Sequence, residues 1–152
     1  MNEIRIGIVG SRRRNSLKDR SIVLDIVRSA VAAFPEKRIV IVSGGADGPD
    51  AFAREAAGIY GLDYADHPIR RDPPITSKRE FVARAFGRNK DIVVDSHLVF
   101  ALVHPDRKGG TENTVKHAMD LKKKFFLVDQ EGRCYLSGVG WKDRNAEASD
   151  KT

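Results

Sequence analysis

Ser43-Gly44-Gly45-Ala46-Asp47-Gly48-Pro49-Asp50 follows directly on the apolar run at residues 39–42 (IVIV). The stretch reads as the end of a buried strand, a glycine-rich turn and a helix opening at Pro49, where a missing N–H costs nothing. Glycines let backbone N–H groups approach a ligand closely, and a helix N-terminus favours negative charge. Two similar junctions stand at Gly10-Ser11-Arg12 and at Gly109-Gly110-Thr111. One such turn is no more than an α/β protein needs in order to fold. Three in one small chain point to a phosphate-bearing ligand.

Working outward, residues 4–9 (IRIGIV) form a β-branched run that predicts a first buried strand. Asn15 or Ser16 then caps a helix over 17–34, whose broad apolar face carries Ile22, Ile26, Ala30 and Ala33 with Val23, Val27 and Val31. In the run Arg12-Arg13-Arg14, the expectation is that Arg12 turns inward and the other two are solvated. Residues 38–43 make the second strand, and a helix from Pro49 runs to Tyr60, stopped by Gly61. Residues 62–68 are a more polar strand suited to a sheet edge.

Ser77 and Glu80 have the spacing of a capping box. In the helix that follows, Val82, Ala85, Phe86, Ile92 and Val93 share a face, with Asn89 in its middle. A carboxamide buried there needs hydrogen-bond partners, or it costs about 1–3 kcal/mol. Residues 98–103 are the most apolar strand and belong at the centre of the sheet. A fourth helix follows Thr111, and residues 125–128 make a fifth strand. A hairpin is expected about Glu131-Gly132, and residues 141–152 read as a polar, disordered tail.

This alternation predicts an α/β fold: a doubly wound, mostly parallel, five-stranded Rossmann-like sheet with helices on both faces, spanning residues 1–140. Strand order 3-2-1-4-5 sets Gly10-Ser11-Arg12 beside Gly109-Gly110-Thr111 at the carboxyl ends of the strands, where ligands bind in such sheets.

The 152 residues suffice for one domain with a real core, and 41% hydrophobic with 32% charged residues describe an ordinary globular chain. The net charge of +6 suits anionic partners. Cys134 is the only cysteine, so an intrachain disulfide is excluded and a reducing cytoplasm is the expected compartment. No signal peptide or membrane-spanning run is read from the sequence.

The turns resemble those of the SLOG superfamily of Rossmann-like domains, which joins the DNA-processing protein A domain, the Lonely Guy phosphoribohydrolases and small stand-alone YspA/YpsA-type proteins. The resemblance rests on four pieces in order: Val9-Gly10-Ser11-Arg12; residues 43–50 followed by Ala53; Arg88-Asn89 with Ile92 and Ser96; and Gly109-Gly110-Thr111 with Thr114 and Ala118. It implies a nucleotide pocket lined by Gly10, Ser11, Arg12, Gly44, Gly45, Arg88, Gly109, Gly110 and Thr111. Asp50 matches the aspartate of the second motif, and Asn89 is expected to fasten the loop backbone that steadies Arg88.

The ligand so implied is a nucleotide or nucleotide derivative, with or without magnesium, held by a sensor or carrier. No protein metal site is expected, and a homodimer is the base-rate assembly. One alternative is N-glycosidic cleavage of a nucleoside monophosphate, with Glu112 or Asp50 as the carboxylate. Lonely Guy enzymes resemble Pro-Gly-Gly-X-Gly-Thr-X-X-Glu, whereas Thr114 stands at the glutamate position here. The other alternative is single-stranded DNA binding through Arg13, Arg14, Arg70, Arg71, Arg79 and Arg84, although aromatics for base stacking are scarce in these basic loops.

Overall fold

The computed structural model describes residues 2–150. In chain order the elements are β1 (Glu3–Gly10), α1 (Leu17–Ala33), β2 (Arg38–Ser43), α2 (Pro49–Ile59), β3 (Asp63–Asp66) and α3 (Lys78–Val94). They continue with β4 (Leu98–Leu102), α4 (Gly110–Asp120), β5 (Lys124–Val128), β6 (Cys134–Leu136) and α5 (Trp141–Asp150). The sheet order is β3-β2-β1-β4-β5-β6. Strands β1 to β5 run parallel, with Gly10 opposite Leu102 and Ser43 opposite Asp66. The expected 3-2-1-4-5 order is therefore present, with a sixth strand added. β6 lies antiparallel on β5, pairing Val128 with Cys134 and Leu127 with Tyr135.

The period of two along each strand divides the core. Ile4, Ile6, Ile8, Ile39 and Ile41 pack with Val23 and Val27 of α1 and Ala53 and Ala56 of α2. Val9, Val40, Val42, Val99 and Ala101 pack on the other face with Ile92 and Val93 of α3 and Val115 and Ala118 of α4. Each buried aliphatic side chain contributes on the order of 1.5–3 kcal/mol.

Helix ends follow local chemistry. Ser16 caps α1 by accepting from the Asp19 N–H, and the Asp19 carboxylate accepts from Ser16 in return. Ser77 caps α3 through the Glu80 N–H. The caps of α2 and α4 are glycines, Gly48 and Gly109, with no side-chain hydrogen bond.

Two expectations fail here. Arg14 is not solvated: it is 1% exposed, and its guanidinium donates to Asp19 (2.7 Å) and to the carbonyls of Val103 (3.0 Å), Val128 (2.8 Å) and Asp129 (2.8 Å). Carbonyls at the ends of β4 and β5 satisfy the charge that the sequence alone leaves unpartnered. The polar stretch from 141 is helical through Asp150, with Trp141 buried edge-on against Tyr135 at 5.4 Å between ring centroids. The Tyr135 hydroxyl donates to Asp129 at 2.6 Å, tying this contact to the hairpin. Residues 151 and 152 of the expected tail lie outside the described residues. Among those described, no helix is long and apolar enough to cross a membrane.

Candidate functional site

At the carboxyl ends of β1 and β4 lies a cleft of about 410 Å³. Its floor and rim come from Gly10, Ser11 and Arg12 after β1, Asp50 of α2, Arg88 and Asn89 of α3, and Gly109, Gly110 and Thr111 at the start of α4. One wall is apolar, made by Ile69, Phe81, Ala85 and Phe86.

Arg88 is held on the inner side. Its Nη1 donates to the Gly44 carbonyl at 2.7 Å and, more loosely, to the His67 carbonyl at 3.4 Å. Its Nε donates to Asn89 Oδ1 at 3.1 Å. Asn89, itself buried, donates through Nδ2 to the Gly110 carbonyl at 3.4 Å and to Asn113 Oδ1 at 3.2 Å. The partners that a buried carboxamide requires are thus supplied by the first turn of α4 and by Arg88.

Gly44 and Gly45 do not line the cleft. The Gly44 amide is held from both sides, its carbonyl by Arg88 and its N–H by Asp50 Oδ2 at 3.2 Å. A Cβ on Gly44 would stand 2.6 Å from Arg88 Nη1, so any side chain there would displace the guanidinium from the Gly44 carbonyl. A Cβ on Gly10 would meet Pro49 Cγ at 2.3 Å, the contact that seats α2 against the first turn.

Asp50 is 4% exposed. Its Oδ2 accepts from the N–H groups of Gly44 and Ala46, the latter at 3.3 Å. Burial pushes its carboxyl up to about 6, against the pull of these N–H groups and of Arg88 nearby.

Arg13 bridges the two loops that frame the cleft. It grips both oxygens of Asp106 at 2.6 and 2.8 Å and donates to the Lys108 carbonyl at 3.0 Å. The Arg13 hydrogen bonds hold the Asp106 carboxyl well below the usual carboxylate range. Arg12 is exposed at the cleft edge rather than turned inward.

Glu112 is not at the cleft. Both of its oxygens accept from Arg107, each at 2.7 Å. Among the described residues no group of three or more His, Cys, Asp or Glu is placed to hold a metal ion.

The aromatic wall was not read from the sequence as part of the site. Phe86 lay on the stripe expected to be core, yet it is 42% exposed and faces the cleft.

These features define a Rossmann-like α/β protein with an open cleft at the strand-order reversal. No protein-family model and no curated protein matches the chain. Among solved structures it is similar to DNA processing protein A from Streptococcus pneumoniae, with a TM-score of 0.66 at 19% identity. That match covers 97% of this chain and 56% of the other, so the chain spans about half the length of that neighbour. It also matches S. aureus MnaA in a structure with UDP (TM-score 0.47, 14% identity, 94% and 31% covered). A putative UDP-N-acetylglucosamine 2-epimerase from Listeria monocytogenes matches similarly (TM-score 0.46, 13% identity, 84% and 31% covered). The first of these likenesses establishes the shared fold.

Proposed function

We propose that this is a SLOG-type domain that binds a nucleotide or nucleotide-derived ligand in the cleft between β1 and β4. The observation that carries the reading is convergence. The α4 N-terminus, uncapped by any side chain, the arginines Arg12 and Arg88 and the aromatic wall all border one cavity. An uncapped helix start and two guanidinium groups suit phosphate. Phe81 and Phe86 suit the face of a base. The protein acts as a cytoplasmic sensor or carrier, in a homodimer, and magnesium enters only with the phosphate.

Cleavage of an N-glycosidic bond is the weaker alternative, because Glu112 is engaged by Arg107 outside the cleft. Single-stranded nucleic acid is favoured by one observation: Arg71 lies over the Phe81 ring at 6.0 Å, so that a basic loop and a stacking surface do meet at the cleft mouth.

A thermal-shift panel tests the reading. It contains AMP, ADP, ATP, ADP-ribose, NAD, UDP and a short single-stranded oligonucleotide, each at two salt concentrations, on wild type and Arg88→Ala. A shift with a small nucleotide that is lost in Arg88→Ala is expected. A shift with the oligonucleotide alone, abolished by salt, replaces it with the nucleic-acid reading.

A further inference from the structure

The three glycine turns are not equivalent once the atoms are placed. The turn between β2 and α2 already holds an anion, and that anion belongs to the protein. Asp50 Oδ2 takes the N–H groups of Gly44 and Ala46, and the Gly10 N–H lies close enough to favour its ionised form. The turn before α4 has no such occupant: no side chain caps Gly109, and a Cβ on Gly110 would meet nothing within 4 Å.

Resting on the nucleotide-binding reading above, we propose that Asp50 is a specificity-determining residue. Its carboxylate fills the N–H groups of the β2–α2 turn, confines the ligand's anionic group to the α4 side of the cleft, and makes entry of that group accompany uptake of one proton. The argument is electrostatic. Asp50 borders the same cavity as Arg88, Gly110 and Thr111, and it is screened from water. Two anions bordering one cleft, one of them screened from water, disfavour each other's charge. A bound phosphate therefore favours the protonated acid, and by linkage the protonated acid favours phosphate.

Around Asp50 stand Arg88 on α3 and Tyr64 on β3, then Arg54 on α2 and Asp66 on β3 acting on Tyr64, Asp47 in its own turn, Arg12 on the shared cleft, and His67, whose carbonyl accepts from Arg88. Burial raises the Tyr64 hydroxyl further from the range between pH 5 and 8. His67, whose Nε2 lies 2.8 Å from Asp95 Oδ2, is controlled by a His67→Gln variant.

The test is calorimetric titration of wild type and Asp50→Asn with ADP-ribose, and with sulfate as a second probe, since neither titrates between pH 5.5 and 8. Asparagine Oδ1 accepts from the same two N–H groups without the charge. Wild type is expected to bind at least fivefold more tightly at pH 5.5 than at pH 8. Asp50→Asn is expected to bind at pH 8 about as tightly as wild type does at pH 5.5, with its pH dependence flattened. A folded Asp50→Asn that keeps the wild-type pH profile overturns the proposal and leaves the nucleotide reading standing. Should the variant not fold, titrations of wild type at pH 6.5 in two buffers of different ionisation enthalpy give the proton count directly. Net uptake that a His67→Gln variant retains upholds the proposal, and zero uptake, or uptake that His67→Gln abolishes, overturns it. If neither these probes nor any nucleotide of the thermal-shift panel binds wild type at any pH, both the proposal and the nucleotide reading fall.

Discussion

Arg88 Nη1 donates to the carbonyl oxygen of Gly44 at 2.7 Å, joining positions 44 residues apart. The bond makes the arginine a support for the second turn as well as a charge at the cleft. Arg88→Ala is expected to lower stability by about 1.5–3 kcal/mol, the worth of a hydrogen bond from a charged donor. Arg88→Lys keeps the charge and loses the fork, so it should restore part of the nucleotide affinity and little of the stability. Urea denaturation alongside nucleotide titration separates the two effects. An Arg88→Ala protein as stable as wild type contradicts the structural half of this account.

Gly10 and Gly110 border one cleft under opposite constraints. Valine at position 10 collides with Pro49, whereas at position 110 it enters open space. Gly10→Val should therefore fail to fold or unfold at markedly lower temperature. Gly110→Val should give a folded protein whose nucleotide affinity drops at least tenfold. Circular dichroism and titration of both variants decide the matter, and full affinity in folded Gly110→Val excludes the α4 N-terminus as the phosphate site.

The buried carboxyl of Asp50 carries a stability cost of known sign. An acid raised from 3.8 to about 6 on folding binds more protons in the native state between those values. Its contribution to stability therefore declines as pH rises from about 4 to 6 and is flat above. At pH 7 the cost is on the order of 3 kcal/mol, so Asp50→Asn should be more stable than wild type there and lack that decline. Urea midpoints for both proteins at pH 4.5 and 7 measure it. An Asp50→Asn less stable than wild type at pH 7 would show that the carboxylate's own hydrogen bonds outweigh its burial.

Arg14 and Asp19 form the pair on which the first loop closes. Burial pushes the Asp19 carboxyl up, but the Arg14 and Ser16 hydrogen bonds outweigh it, and the net shift is downward. The stability from this shift is present above the ordinary carboxylate value and is lost as pH falls below about 4. Arg14→Ala should cost about 3–5 kcal/mol, because it leaves Asp19 buried and unpaired. The double variant Arg14→Met with Asp19→Asn should recover a large part of that loss. Equal stability of the single and double variants in urea would count against the pair.

The strands were legible because β-branched runs such as residues 4–9 and 39–42 have few other uses, and the order of the parallel strands is one common to doubly wound sheets. Most of the cleft was legible too, because glycines at strand-to-helix junctions mark turns. What escaped was long-range satisfaction. Arg14 lies in a run of three arginines, and nothing local distinguishes the one whose acceptors are 89 to 115 residues away. Tyr135 and Trp141 each look unremarkable in polar sequence, and their packing converts an expected loose end into α5. Phe86 was legible as apolar but not as uncovered, since periodicity gives a face and not what lies against it.

The outermost strands, β3 at four residues and β6 at three, are the shortest in the sheet. Asp63 and Asp66 close the ends of β3, and both are exposed. Open backbone along a sheet margin recruits further chains when it is long and apolar. Here each margin offers too few free amides for another chain to extend the sheet in register, and the aspartates oppose stacking of one β3 on another. Sideways growth into fibrils is thereby discouraged, and any assembly of whole molecules must be built from helix surfaces or sheet faces.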